Sequence, residues 1–214
     1  DHRDLHSFPT RRSSDLDLRG VLGREGTSTL GGVVAENASG PRRVAVGACR
    51  DFCLGVRFVD GRGEIIRNGG RVMKNVTGYD LVKLMAGSRG QLGVLTEVAL
   101  KVLPVPEAEA TLCLHGLNDR EAVASLSLAL GSPYEVTGAA HLPGQGTWLR
   151  IEGFEASVRY RLGRLQGLLA PFGAAEEVAS PWAAIRDVTP LAAVPGDLWR
   201  LHLVPSDAAA VVAR

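Results

Sequence analysis

STLGGVVAENASGPRR (Ser28–Arg43) and KNVTGYDLVKLMAGSRGQLGVLTEVALKVLP (Lys74–Pro104) are the two stretches that decide how this chain is read. Each sets glycines where a backbone must pass close to something, beside small or hydroxyl side chains that reach phosphate oxygens. Between them GVRFVDGRGEIIRNGG (Gly55–Gly70) has the pattern of a hairpin. Its strands are expected over Val56–Val59 and Glu64–Arg67, with the turn at Asp60–Gly63. The order is glycine loop, strand, turn, strand, glycine loop, strand. Neither strand–GxGxxG–helix nor GxxxxGK[ST] occurs, which excludes the common nucleotide-binding loops.

In the first block Thr29, Gly31, Gly32, Asn37, Ser39 and Gly40 offer hydroxyls, an amide and close-approaching backbone. A fan of backbone N–H groups is an effective cradle for a phosphate without Lys or Arg. The competing reading is a tight structural turn whose glycines serve only positive φ. Working outward, Asp80–Ala86 is expected as a short helix, capped by Asp80 and stopped by Gly87. Val94–Leu103 alternates as a strand and ends at Pro104-Val105-Pro106, the expected domain boundary.

Beyond the prolines the rhythm changes. Thr111–His115 reads as a strand and Asp119–Leu130 as an amphipathic helix with Asn118 or Asp119 as cap. Val136–Leu142 and Thr147–Glu152 flank a turn at Pro143–Gly146 as a second hairpin. Ala156–Leu169 and Trp182–Val188 read as helices, and Leu198–Val204 (LWRLHLV) as the closing strand. This βαββαβ order predicts a ferredoxin-like domain, and the fold class is α+β.

The two glycine blocks, with TLGG…N-x-SG-x-R and GSRGQLGVLTE, resemble the FAD-binding PCMH-type flavoproteins of the vanillyl-alcohol-oxidase superfamily, and among them the FAD-binding subunits of bacterial glycolate oxidases. The resemblance runs from about Thr29 to Arg200 and is densest up to Pro104. It implies FAD as cofactor, with Thr29, Leu30, Gly31, Gly32, Asn37, Ser39, Gly40, Gly90, Gly93 and Val94 binding it. Arg89 and Gln91 stand where the family often has Glu and Thr, so those two side chains carry no expectation of contact. Lys74 and Tyr79 match a family signature with a structural role, in which Lys74 pairs with Asp80 or meets a phosphate.

The resemblance also implies the organisation: residues 17–104 are part of the flavin domain and residues 105–214 part of a cap domain that shapes the substrate site. The implied activity is oxidation of a 2-hydroxy acid such as glycolate, the flavin accepting a hydride from its α-carbon. The alternatives are a stand-alone FAD-dependent alcohol or sugar oxidoreductase of the same fold, and a catalytically silent flavin-binding partner subunit. Implied partners are a second flavoprotein and an iron–sulfur subunit. The family's further glycine-rich loop and final cap strand are expected outside this chain, which reads as an internal piece that binds FAD weakly by itself.

HSFPTRRSSDL (His6–Leu16) resembles the translation of a common sequencing-library adapter, so residues 1–16 are set aside as non-native. The 214 residues carry a net charge of +1, which argues against nucleic acid as a partner. No apolar run is long enough to span a membrane. The expected location is the cytoplasm, with any inner-membrane association made through partner subunits. Arginine in excess of lysine, with abundant alanine and glycine, fits a GC-rich bacterial genome.

Cys49, Cys53 and Cys113 are too few for a disulfide framework or a cluster and are expected as buried neutral thiols. Arg50-Asp51 is expected as an ion pair on a short helix. His115, His141 and His202 fall in expected cap strands without metal-ligand spacing. No metal is expected, and no residue is singled out as the catalytic base.

Overall fold

The computed structural model describes residues 29–70, 78–192 and 194–213. Residues 1–16 and Lys74 lie outside them. The chain divides into two units, Asp1–Val105 with Arg186–Ala192, and Pro106–Ile185 with Ala193–Arg214.

In the first unit, helices α1 (Leu30–Ala35), α2 (Arg43–Val46) and α3 (Cys49–Phe52) lead into strand β1 (Cys53–Val59). β2 (Ile65–Gly69), helix α4 (Leu81–Met85) and β3 (Val94–Leu100) complete it. β1 is central, with β2 and β3 antiparallel on either side. The hairpin forms as expected because Asp60 Oδ1 accepts from the amides of Arg62 and Glu64 while Gly63 takes φ 84°. One face of β1 supplies Val56 and Phe58 to a core with Val34, Val82 and Met85 from the helices. Asp80 caps α4 by accepting from the Lys83 amide at 3.0 Å. β3 stops three residues short of the expected Leu103, because its partner β1 begins at Cys53; the Lys101 amide makes the last bond along this edge, to the carbonyl of Phe52 at the end of α3, at 2.9 Å.

The second unit runs β4 (Ala108–Leu114), α5 (Asp119–Leu130), β5 (Gly138–Leu142), β6 (Gly146–Gly153), α6 (Glu155–Leu169), β7 (Glu176–Val178). Short helices α7 (Trp182–Arg186) and α8 (Ala208–Val212) follow. The sheet order is β5-β6-β4-β7, all antiparallel, which is the ferredoxin-like arrangement. α5 occupies the expected residues because Asn118 and Glu121 form a reciprocal capping box. Ala110, Leu112, Leu114, Leu149 and Ile151 on one face of the sheet pack against Val158, Leu162, Leu165 and Leu169 of α6. Burying each such leucine contributes about 1.5–3 kcal/mol.

Two expectations fail here. Leu198–Val204 is not a strand: it is irregular and exposed, with Trp199 at 80%. β7 holds the edge beside β4, pairing Val178 with Thr111, so the period-two pattern of LWRLHLV finds no free place there. The helix from Trp182 ends at Arg186 rather than Val188, which adopts a left-handed φ of 52° ahead of Thr189-Pro190.

All three cysteines are free and buried. Burial, reinforced by neighbouring Cys53 and Asp51, pushes the Cys49 thiol up to about 12, and burial also raises Cys53 and Cys113. A thiol held neutral by the fold stabilises it fully below the ordinary thiol range, and that contribution is lost as pH rises toward the folded-state value. Stability is therefore expected to fall from about pH 9 upward. Urea midpoints measured between pH 8 and 11 should decline less steeply in Cys49→Ala than in the wild type; equal slopes would refute the assignment.

Candidate functional site

The first glycine block is a helix rather than a loop. Thr29 Oγ1 accepts from the Gly32 amide at 3.0 Å and Thr29 O from Val33, which starts α1. Neither Gly31 nor Gly32 has positive φ, so the expected fan of amides shrinks to the first turn. Two glycines disfavour a helix by about 1 kcal/mol each. Tertiary contacts override that cost: beside the local bond from the Asn37 amide to Val34 O, the amides of Gly87 and Arg89 bond the carbonyls of Val34 and Ala35. The second glycine block thus closes the C-terminal end of the first.

The expected residues fall into three groups within this unit. Thr29, Leu30, Gly31 and Gly32 form the first turn of α1, where a Cβ on Gly31 would lie 3.5 Å from Leu95 O of β3. Asn37, Ser39 and Gly40 form the turn after α1: Ser39 Oγ donates to Asn37 O at 3.3 Å and the Arg43 amide to Gly40 O at 3.0 Å. Gly90, Gly93 and Val94 lie on the way into β3.

Their glycines differ in kind. A Cβ on Gly93 would meet Val59 O at 2.5 Å and Phe58 Cδ2 at 2.9 Å, with φ at 152°, so the fold itself demands glycine there. Gly32 is exposed, helical, and its Cβ position meets only Thr29 Oγ1, at 3.1 Å. Among the described residues no packing contact explains it. Val94, directly after Gly93, is 68% exposed.

Sequence reasoning passed over Ser88. Its hydroxyl is buried and has no hydrogen-bond partner among the described residues, although it sits between the two amides that close α1. A buried hydroxyl left unsatisfied is a place for a ligand oxygen. With the open face of Gly32, it makes this segment fit an oxygen-rich, flat cofactor such as FAD. Arg89 lies 3.8 Å from Glu36 Oε2, with both side chains exposed.

Other candidates are engaged structurally. Asp51 Oδ2 accepts from the Ala48 amide at 2.8 Å, tying back the start of α3 rather than pairing with Arg50. Tyr79 is 88% exposed, and its carbonyl accepts from Asn68 Nδ2. The histidines are not brought together. His141, on β5, lies 2.8 Å from Thr147 Oγ1 and 3.2 Å from Asp119 Oδ1. His115 Nδ1 is 3.9 Å from Cys113 Sγ, and His202 lies in the exposed stretch before α8. Among the described residues no His, Cys, Asp or Glu cluster is fit for a metal, and no helix is long and apolar enough to cross a membrane.

Residues 18–69 match the FAD binding domain family. The chain is 43% identical over 183 residues to glycolate oxidase subunit GlcE of Escherichia coli (strain K12), which covers 85% of this chain and 49% of that protein. It is 46% identical over 85 residues to glycolate oxidase subunit GlcD of Bacillus subtilis (strain 168), covering 40% of this chain and 18% of that one. The chain thus spans half or less of the length of these relatives. A solved structure of alkyldihydroxyacetonephosphate synthase superposes with a TM-score of 0.58 at 22% identity, over 76% of this chain and 36% of its own, a likeness of fold. With two glycine blocks joined around α1, a match to an FAD binding domain over residues 18–69 and a likeness that runs over most of the chain, this protein is similar to FAD-binding flavoproteins, and its cofactor is FAD.

Proposed function

We propose that this chain belongs to the FAD-binding subunit of a 2-hydroxy-acid oxidase complex acting on glycolate. The observation that carries the proposal is the extent of the likeness to the Escherichia coli glycolate oxidase subunit. Its 183 aligned residues exceed the first unit and run into the ferredoxin-like one, so the second unit shares the kinship as well. The likeness to a second, different glycolate oxidase subunit is confined to 85 residues. That pattern supports a role beside another subunit of such an oxidase; an iron–sulfur subunit as the onward electron carrier is proposed from the resemblance of the glycine blocks alone.

The bound FAD would supply the hydride acceptor for the substrate's α-carbon. This chain's contribution is to hold it. The first turn of α1 gives Thr29 and the outward amides, Gly32 leaves the space a side chain would fill, and Ser88 offers its buried hydroxyl. In this reading Gly90, Gly93 and Val94, on the way into β3, meet the cofactor from the second block, and Gly40 and Ser39 shape the turn behind α1.

The test is co-expression of the complete protein with its genomic neighbours. Glycolate-dependent dye reduction that needs this subunit, with FAD released by acid, supports the proposal. Reduction by the subunit alone would favour a stand-alone oxidoreductase, and bound FAD without substrate reduction would favour a silent partner. A finer test is Gly32→Val, which fills the exposed face of α1 and should weaken FAD binding by about 2–3 kcal/mol while circular dichroism stays unchanged. Wild-type FAD affinity in a folded Gly32→Val protein would remove α1 from the flavin site.

A further inference from the structure

We infer that Asn37 is a positioning residue of the flavin site: it orients α1 by capping α3 from thirteen residues away, and gives no atom to the cofactor. The inference rests on the proposal that α1 borders FAD. The first-turn amides of α3 need acceptors, and Ala48, at the cap position, has no side-chain oxygen. Asp51 turns back to the Ala48 amide, and Asn37 Oδ1 accepts from the Arg50 amide at 2.8 Å. Only an acceptor serves a backbone N–H, so this contact fixes which way the Asn37 amide points.

The backbone of Asn37 is committed as well. Its φ is 47°, a left-handed value that asparagine tolerates better than most residues. Its amide donates to Val34 O at 2.9 Å and its carbonyl accepts from Ser39 Oγ. The tie continues, because Lys83 Nζ of α4 donates to the carbonyl of Arg50. A helix as short as α1 cannot hold its own direction. With its C-terminal end bound through Asn37 to α3 and onward to α4, the first turn about 9 Å away is held in place. Release of that bond tilts Thr29 and Gly32 without touching either.

Two substitutions separate this role from direct ligation. Asn37→Asp keeps the acceptor and the left-handed backbone; Asn37→Gly keeps the backbone and removes the acceptor. In the complete protein, titrated with FAD and followed by flavin fluorescence, Asn37→Asp should bind within about twofold of wild type and Asn37→Gly about tenfold more weakly. Hydrogen exchange at the Arg50 amide should be slow in wild type and Asn37→Asp and fast in Asn37→Gly.

A loss beyond about fivefold in Asn37→Asp would show that the side-chain NH2 serves the cofactor, and would overturn the inference. Unchanged affinity in Asn37→Gly would overturn it too. If Asn37→Gly does not fold, Asn37→Asp decides alone: wild-type binding upholds the role and weakened binding ends it. A wild-type protein that binds no FAD takes down the proposed function and this inference together, whereas a binding wild type beside a failing Asn37→Asp takes down only the inference.

Discussion

Gly93→Ala is expected to destabilise the first unit by roughly 2–6 kcal/mol, a clash and backbone strain of about 1–3 kcal/mol each. The new methyl would lie 2.5 Å from the Val59 carbonyl, a backbone atom of the central strand that cannot step aside. It would also sit 2.9 Å from Phe58, a side chain of the buried core, at a φ of 152° that alanine rarely adopts. Chemical denaturation followed by circular dichroism measures the effect, and a loss below about 1 kcal/mol would show that β3 yields where we hold it rigid. Beside Gly32→Val, the pair separates two reasons for a glycine. One position is required by the protein's own packing, and the other leaves room that no described residue fills.

Trp182→Ala should cost the second unit about 3–5 kcal/mol. The indole is 3% exposed, donates from Nε1 to Thr111 Oγ1 at 2.9 Å, and has the Arg150 guanidinium 4.8 Å from its ring. Arg150 in turn pairs with Glu152 at 3.5 Å, both side chains nearly inaccessible. Removing the ring opens this ion pair to rearrangement and leaves a cavity against Gly138, whose Cβ position lies 3.1 Å from the indole. Trp182→Phe keeps most of the ring and loses the hydrogen bond, so about 1 kcal/mol is expected for it. Equal losses in the two variants would mean that the hydrogen bond, not the packing, holds α7 to the sheet.

The parts readable from sequence were those whose cause is local. Asn118 and Glu121 sit three apart, so their capping box places the start of α5 without any tertiary knowledge. Asp60 and Gly63 likewise carry their turn within five residues. The parts misread depend on partners far along the chain. α1 looks like a loop because two glycines weaken it locally, and the amides of Gly87 and Arg89 that restore it come from the second block. LWRLHLV has the alternation of a strand, but alternation says nothing about whether a sheet edge remains to receive it. The contact between His141 and Asp119 spans 22 positions, and the hidden hydroxyl of Ser88 is a property of its surroundings; neither has a sequence signature. The family's motif therefore named a segment without the distant partners that give it its local structure.

The closure of α1 by residues from the second block also bears on the order in which this protein is made. A six-residue helix with two glycines does not persist in a free peptide, because one hydrogen-bonded turn does not repay its nucleation. Its terminal carbonyls wait for amides about fifty positions later in synthesis, after β1 and β2 have been made. Such a distant closure is slow compared with a hairpin, so the ends of α1 meet late on the folding route. A nascent chain released before Arg89 would carry the matching cofactor motif and still lack the shape that receives the cofactor.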